Sequence, residues 1–340
     1  MVLKGKVVTE LGIRSPAAKF FNGYAKQLHN LPNIIDTLHE GNLHEGDDWH
    51  DIGAVKSWTL TTGGKVETLK ESIEAIDEQN NSISFKIFDG EVSKDYKMFK
   101  IHLQVIDKEE GGAVTVWTIE YEKMNEDIKP PYHFMDIITA ATKDVDDHSL
   151  RQFSRMLKGS WRWIFERKYG KILELMEIEV QSGALMALMV LKGKVVTELG
   201  IRSPAAKFFN GYAKQIHNLP NIIDTLHEGN LHEGDDWHDI GAVKSWTLTT
   251  GGKVETLKES IEAIDEQNNS ISFKVFDGEV SKDYKMFKVH LQVIDKEEGG
   301  AVTVWTIEYE KMNEDIKPPY HFLDFITAAT KDVDDHVLKA

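Results

Sequence analysis

Lys56 is the side chain that sequence position most favours for chemistry. It stands in phase with Trp58 and Leu60 in an alternating run, so its ammonium shares their inward, otherwise apolar face. Such a lysine either snorkels, keeping its charge in water, or meets a carboxylate inside. In the second case it could receive a guest's acid or hydroxyl group. Tyr121 and Tyr132 could each offer a phenol, although buried tyrosines commonly find a protein partner. His133 and Asp136 open a helix and could reach a cavity mouth. Both could equally be solvated, and Asp136 is favourable near a helix N-terminus in any case. His39, His44 and His50, with Glu40 and Glu45 beside them, look like metal ligands. Their spacings of five and six fit neither a helix face nor a strand face, so no metal or other cofactor is expected. The runs Glu71/Glu74/Asp77 and Asp144/Asp146/Asp147 read as solvated faces.

Every one of these residues occurs twice. Met1–His148 recurs as Met189–His336, with five differences: Leu28/Ile216, Ile87/Val275, Ile101/Val289, Met135/Leu323 and Ile137/Phe325. Each exchanges one apolar residue for another. A repeat this long is a domain rather than a solenoid unit. Three segments follow: domain 1–148, a linker 149–188 without counterpart, and domain 189–340. The two isoleucine-to-valine changes each open about one methylene of space, while phenylalanine adds a ring. Two copies of one fold with differently shaped interiors are therefore expected.

The chain is acidic overall, with net charge −16. Copy one carries −10, copy two −9, and the linker +3. An acidic domain repels phosphate backbones, so nucleic acid is excluded as a partner. Cysteine is absent, which removes disulfides and thiolate chemistry and suits a reducing compartment. No secretory h-region is visible, and the longest apolar run, Ala184–Leu191, is far too short to span a membrane. A cytoplasmic location is expected; protein partners cannot be read.

The elements that must position these side chains follow from periodicity. Val2–Ile13 reads as a strand, and Ser15-Pro16 as the N-cap and first residue of an amphipathic helix to Leu28, carrying Phe20 and Tyr24. Asn30-Leu31-Pro32 restarts the chain into a short helix near Ile34-Ile35. Strands follow at Thr37–Glu45, Ala54–Thr61, Lys65–Asp77 and Ser82–Phe88. Two more show clear alternation, at Phe99–Val105 and Trp117–Tyr121. Pro130-Pro131 opens the longest helix, Tyr132–His148, whose Phe134, Ile138, Ala141 and Val145 form one stripe facing the sheet. This order makes an α+β domain with an antiparallel sheet and helices on one side. The linker holds Trp161, Arg162, Trp163, Arg167 and Lys168, and Arg151–Leu157 and Ile164–Ile178 could be helical. It reads either as a surface for a membrane or partner groove or as read-through between neighbouring genes, in which case it would not pack.

The order of elements resembles the plant family of the major birch pollen allergen and the intracellular pathogenesis-related proteins. Within it the chain looks like the major latex protein branch. The stretches that carry the likeness are Leu31-Pro32-Asn33, Gly53–Trp58, Glu74–Glu78, Asp95-Tyr96-Lys97 and Thr115–Asp127. The resemblance implies a START-like helix-grip fold, present twice: a seven-stranded curved antiparallel sheet around a long C-terminal helix, plus two short helices. It also implies a deep cavity that binds hydrophobic small molecules such as sterols, hormones or phenolic metabolites, without catalysis, in stress or defence physiology. Periodicity alone would leave the inward residues as solid core. The resemblance makes cavity lining of Phe85, Ile87, Phe99, Ile101, Leu103, Trp117, Ile119 and Tyr121, with Lys56, Trp58, Phe134 and Ile138. Their twins are Lys244, Trp246, Phe273, Val275, Phe287, Val289, Leu291, Trp305, Ile307, Tyr309, Phe322 and Ile326. Such cavities are typically on the order of 300–1,000 Å³.

One departure concerns the loop Gly46–Gly53, glycine-rich in the pollen-allergen branch. Here three aspartates fill it and would repel a phosphate, which also argues against a nuclease. The gate and latch strings of abscisic-acid receptors are missing. The same family contains norcoclaurine synthases, whose condensation needs a cavity lysine and a carboxylate as acid and base. That is the alternative reading, with Lys56 as its candidate.

Overall fold

The computed structural model describes residues 3–62, 64–160 and 190–339, with 152–160 as backbone alone. In copy one the order is β1 (Lys4–Ile13), α1 (Ala17–Ala25), a 3-10 helix (Leu28–Asn33), β2 (Leu38–Glu45), β3 (Val55–Thr62), β4 (Lys65–Asp77), β5 (Ser82–Phe88), α2 (Val92–Asp95), β6 (Tyr96–Asp107), β7 (Ala113–Lys123) and α3 (His133–Ser160). Copy two repeats it as β8 (Lys192–Ile201), α4 (Ala205–Ala213), a 3-10 helix (Ile216–Asn221), β9 (Leu226–Glu233), β10 (Val243–Thr250), β11 (Lys253–Asp265), β12 (Ser270–Gly278), α5 (Val280–Asp283), β13 (Tyr284–Asp295), β14 (Ala301–Lys311) and α6 (His321–Lys339). Each copy is the expected antiparallel seven-stranded sheet with helices on one face.

Three boundaries differ from the sequence reading. Pro16, not Ser15, is the N-cap of α1, and it offers no side-chain cap. The free Ala17 N–H is instead satisfied by the Asp107 carboxylate at 2.7 Å, a partner 90 residues away that local sequence cannot reveal. The second helix is a 3-10 turn containing Pro32, which has no N–H for an α-helical ladder. The long helix does not stop at His148 but runs on through Ser160, because residues 149–158 contain neither glycine nor proline. The other proposed helix, Ile164–Ile178, the Trp161/Trp163 cluster and the question of linker packing lie outside the described residues.

The copies share one sheet of order β2-β3-β4-β5-β6-β7-β1-β8-β14-β13-β12-β11-β10-β9. At its centre β1 and β8 run antiparallel, from Gly5 opposite Leu199 to Leu11 opposite Gly193. The Tyr132 hydroxyl bonds Thr197 Oγ1 at 3.0 Å and Thr327 Oγ1 at 2.7 Å. Tyr320 makes the matching pair with Thr9, at 2.9 Å, and Thr139, at 2.8 Å. Tyr132 is therefore engaged across the seam between the copies and is not offered to a guest.

Candidate functional site

A cavity lies between sheet and long helix in each copy. Strand alternation places Trp58 and Leu60 of β3, Leu69 and Glu71 of β4, Phe85 and Ile87 of β5, Phe99 and Ile101 of β6 and Trp117 of β7 on its wall. α3 roofs it with Phe134, Ile137, Ile138 and Ala141; Tyr24 of α1 and Leu31 and Ile35 close one end. Gly41, paired with Trp58, admits the indole: a Cβ there would lie 2.3 Å from the ring. The Trp117 indole N–H donates to Thr142 Oγ1 at 2.9 Å, which ties the back wall to the roof.

Most expected lining residues meet here, but not all. Leu103 and Ile119 are fully buried yet do not reach the cavity; they fill solid core. Tyr121 lies over Gly5, whose missing Cβ would be 2.3 Å from its hydroxyl, and packs edge-on against Tyr96. In copy two Trp246, Phe273, Val275, Phe287, Val289, Trp305, Ile307, Phe322 and Ile326 line the wall, whereas Leu291 and Tyr309 do not. The cavities enclose about 120 Å³ in copy one and about 80 Å³ in copy two. Both fall short of the 300–1,000 Å³ or so of pockets for drug-sized ligands. The cause is the ring content: Trp58, Phe85, Phe99, Trp117 and Phe134 occupy the space that a deeper chamber would leave open.

Three of the five differences, Ile87/Val275, Ile101/Val289 and Ile137/Phe325, lie on both walls and act as a size series. Val275 and Val289 should widen the second cavity, yet it is the smaller one. Phe325 replaces Ile137 on its wall, and one ring outweighs two methylenes. Changing Phe325→Ile is therefore expected to enlarge the second cavity beyond the first. Crystals under xenon pressure would report this, since dry apolar cavities take up xenon; unchanged xenon occupancy would refute it.

Lys56 and Lys244 do not line the cavities. Lys56 is fully buried on the inward face of β3, so its ammonium does not snorkel to water. Its Nζ donates to the Trp49 carbonyl at 3.2 Å, and Glu71 sits opposite it in the β3–β4 ladder. Lys244 donates to Ala242 O at 3.3 Å and faces Glu259. Glu71 was expected on a solvated face but is 9% exposed and forms part of the cavity wall. Burial pushes its carboxyl up, opposed by the Lys56 charge and a hydrogen bond from the Trp58 side chain. Burial likewise pulls the Lys56 ammonium down, opposed by Glu71. Glu259 and Lys244 shift in the same directions for the same reasons. Burial, and then the Glu71 charge, drive the Tyr24 phenol up, so it stays protonated. The cavity is thus an apolar slot with a carboxylate and a phenol on its wall. Thr37 Oγ1 adds a third polar point: it is buried, on the wall, and without a partner among the described residues.

The remaining candidates lie elsewhere. His133 is exposed and packs on Phe134, and Asp136 is exposed. His39 bonds Thr61, His44 bonds Ser57 and His50 bonds Asp48, so the three rings serve three different partners. Asp48 spends its carboxylate on the backbone and ring of His50, which leaves the Gly46–Gly53 loop with no arrangement suited to phosphate. Among the described residues no helix is long and apolar enough to cross a membrane.

The family model described as "Pathogenesis-related protein Bet v 1 family" matches residues 2–152 and again 190–340. MLP-like protein 34 of Arabidopsis thaliana is 30% identical over 340 residues, covering 99% of this chain and 96% of that protein. MLP-like protein 28 of the same plant is 31% identical over 340 residues, covering 99% and 93%. MLP-like protein 43, also of Arabidopsis thaliana, is 37% identical over 150 residues, which is 44% of this chain and 94% of that protein. Among solved structures, ginseng major latex-like protein 151 from Panax ginseng is 32% identical, covers 43% of this chain and 98% of its own, and has a TM-score of 0.41.

Proposed function

The chain belongs to the pathogenesis-related Bet v 1 family in two tandem copies, and from that premise we propose that each copy carries an apolar small molecule in its cavity without altering it. The observation that carries this reading is the ring-lined apolar slot repeated under both roof helices. Burying about 200 Å² of a guest's apolar surface contributes roughly 5 kcal/mol gross, before ordering costs are subtracted. Apolar burial alone therefore supports binding no tighter than roughly the submillimolar range, and it needs no catalytic group. Of the sterol, hormone and phenolic classes, the cavity volumes favour compact one- or two-ring phenolics. A sterol would need the roof helix to move. Thr37 and Glu71 are the groups available to a guest's hydroxyl. A cytosolic role in stress or defence fits an acidic, cysteine-free chain of this family.

Quenching of tryptophan fluorescence by 2-naphthol tests the reading, because Trp58, Trp117 and their twins line the cavities. Saturable quenching with two equivalents per chain is expected. A linear, unsaturable response would defeat the proposal.

The condensing-enzyme alternative draws some support from Glu71, a cavity-wall carboxyl that burial pushes up. Against it, the Lys56 ammonium donates to the Trp49 carbonyl and does not line the cavity. Stereoselective product from dopamine and an aldehyde would promote it.

A further inference from the structure

We infer that each copy alone carries a self-complementary docking surface, and that a single copy would pair with a second copy of itself through β1. The seam between the two halves is reciprocal. With the offset of 188 removed, Gly5 faces Leu11 and Leu11 faces Gly5, while Val8 faces Val196, its own twin. Lys6 reaches Glu198, the twin of Glu10, at 2.6 Å, and Lys194 reaches Glu10 at 2.6 Å. The tyrosine contacts obey the same exchange: Tyr132 meets the twins of Thr9 and Thr139, and Tyr320 meets Thr9 and Thr139 themselves. This is the signature of an isologous interface about a twofold axis through Val8 and Val196.

None of the five differences between the copies touches these contacts. One copy therefore encodes both sides of the seam. Within a copy, β1 pairs with β7 along one edge only. Its other edge would be an unpaired row of backbone donors and acceptors, a template for another strand. The occupant that matches this edge in charge, in register and in tyrosine–threonine contacts is a second β1.

A half-chain can test this, because the seven strands, the roof helix and the cavity lining of each copy come from that copy's own residues. MLP-like protein 43 moreover matches a 150-residue stretch over 94% of its own length. Residues 1–160 are expected to run as a dimer in light scattering at micromolar concentration. Lys6→Glu places two carboxylates together at each end of the pairing, and Glu10→Lys places two ammoniums together. Each is expected to weaken the dimer by at least about tenfold. Mixed in equal amounts, the two variants restore opposite charges at both contacts and should dimerise again. A monomeric wild-type half, single variants that dimerise as tightly as the wild type, or a mixture that stays monomeric would each overturn the inference.

Discussion

Glu71→Gln is expected to destabilise copy one by about 1–3 kcal/mol, because it removes the carboxylate charge that faces the buried Lys56 ammonium across the β3–β4 ladder. Lys56 has no exposed surface and Glu71 is 9% exposed, so neither charge is compensated by water. With glutamine in place, the ammonium keeps the Trp49 carbonyl as an acceptor but loses its counter-charge. The double variant Lys56→Met/Glu71→Leu should lie within about 1 kcal/mol of the parent, because apolar replacements of similar volume avoid both desolvation penalties. Peptide-resolved native-state hydrogen exchange across β3 and β4 measures both, with copy two as an internal reference. A neutral Glu71→Gln would mean that Lys56 and Glu71 are not held as opposite charges. A double variant as unstable as the single one would place the cost in lost shape rather than lost charge.

This pair also marks where the sequence could be read and where it could not. Lys56 alternates with Trp58 and Leu60, and period-two reasoning put it inward correctly. Glu71 carries the same signal, being in phase with Leu69 and Ile73. The signal is masked because the bulge between Ile73 and Ala75 shifts the phase, so that Glu71, Glu74 and Asp77 look like one charged run. The strands and their inward faces were legible, since one buried face per strand writes itself as alternation; the helix-grip arrangement and the cavity came from the family resemblance, because alternation reads the same for a solid core. The cavity's size was not, because volume depends on how rings from five strands and a helix pack together, and no one-dimensional pattern encodes that. The β1–β8 seam was illegible for another reason: pairing along a strand edge uses backbone groups that every residue possesses.

Asp334→Ala is expected to cost copy two about 3–4 kcal/mol, by leaving several donors without the carboxylate that gathers them. Asp334 is fully buried on α6. Its carboxylate accepts from the Ser203 hydroxyl at 2.7 Å, the Ser203 N–H at 3.0 Å, and the Arg202 N–H and Nε at 3.3 Å each. It thereby clamps the turn entering α4 onto the roof helix. Burial by itself works to raise this carboxyl, but the bonds from Ser203 and then Arg202 outweigh it and hold it below the ordinary 3.8. The unfolded chain therefore takes up this proton at higher pH than the folded one does. Its stabilisation is complete above the unfolded carboxylate range and disappears as pH falls through the lowered native value. The parent should lose stability in copy two on acidification below about pH 4, and Asp334→Ala should lose less over the same interval. In copy one Asp146 receives Ser15 N–H at 2.9 Å and Arg14, but the Ser15 hydroxyl has no partner among the described residues. With one fewer hydrogen bond at stake, Asp146→Ala should cost about 1 kcal/mol less than its twin. Urea melts of each half at a series of pH values would measure the difference, and equal costs would mean that the Ser203 hydroxyl bond contributes nothing.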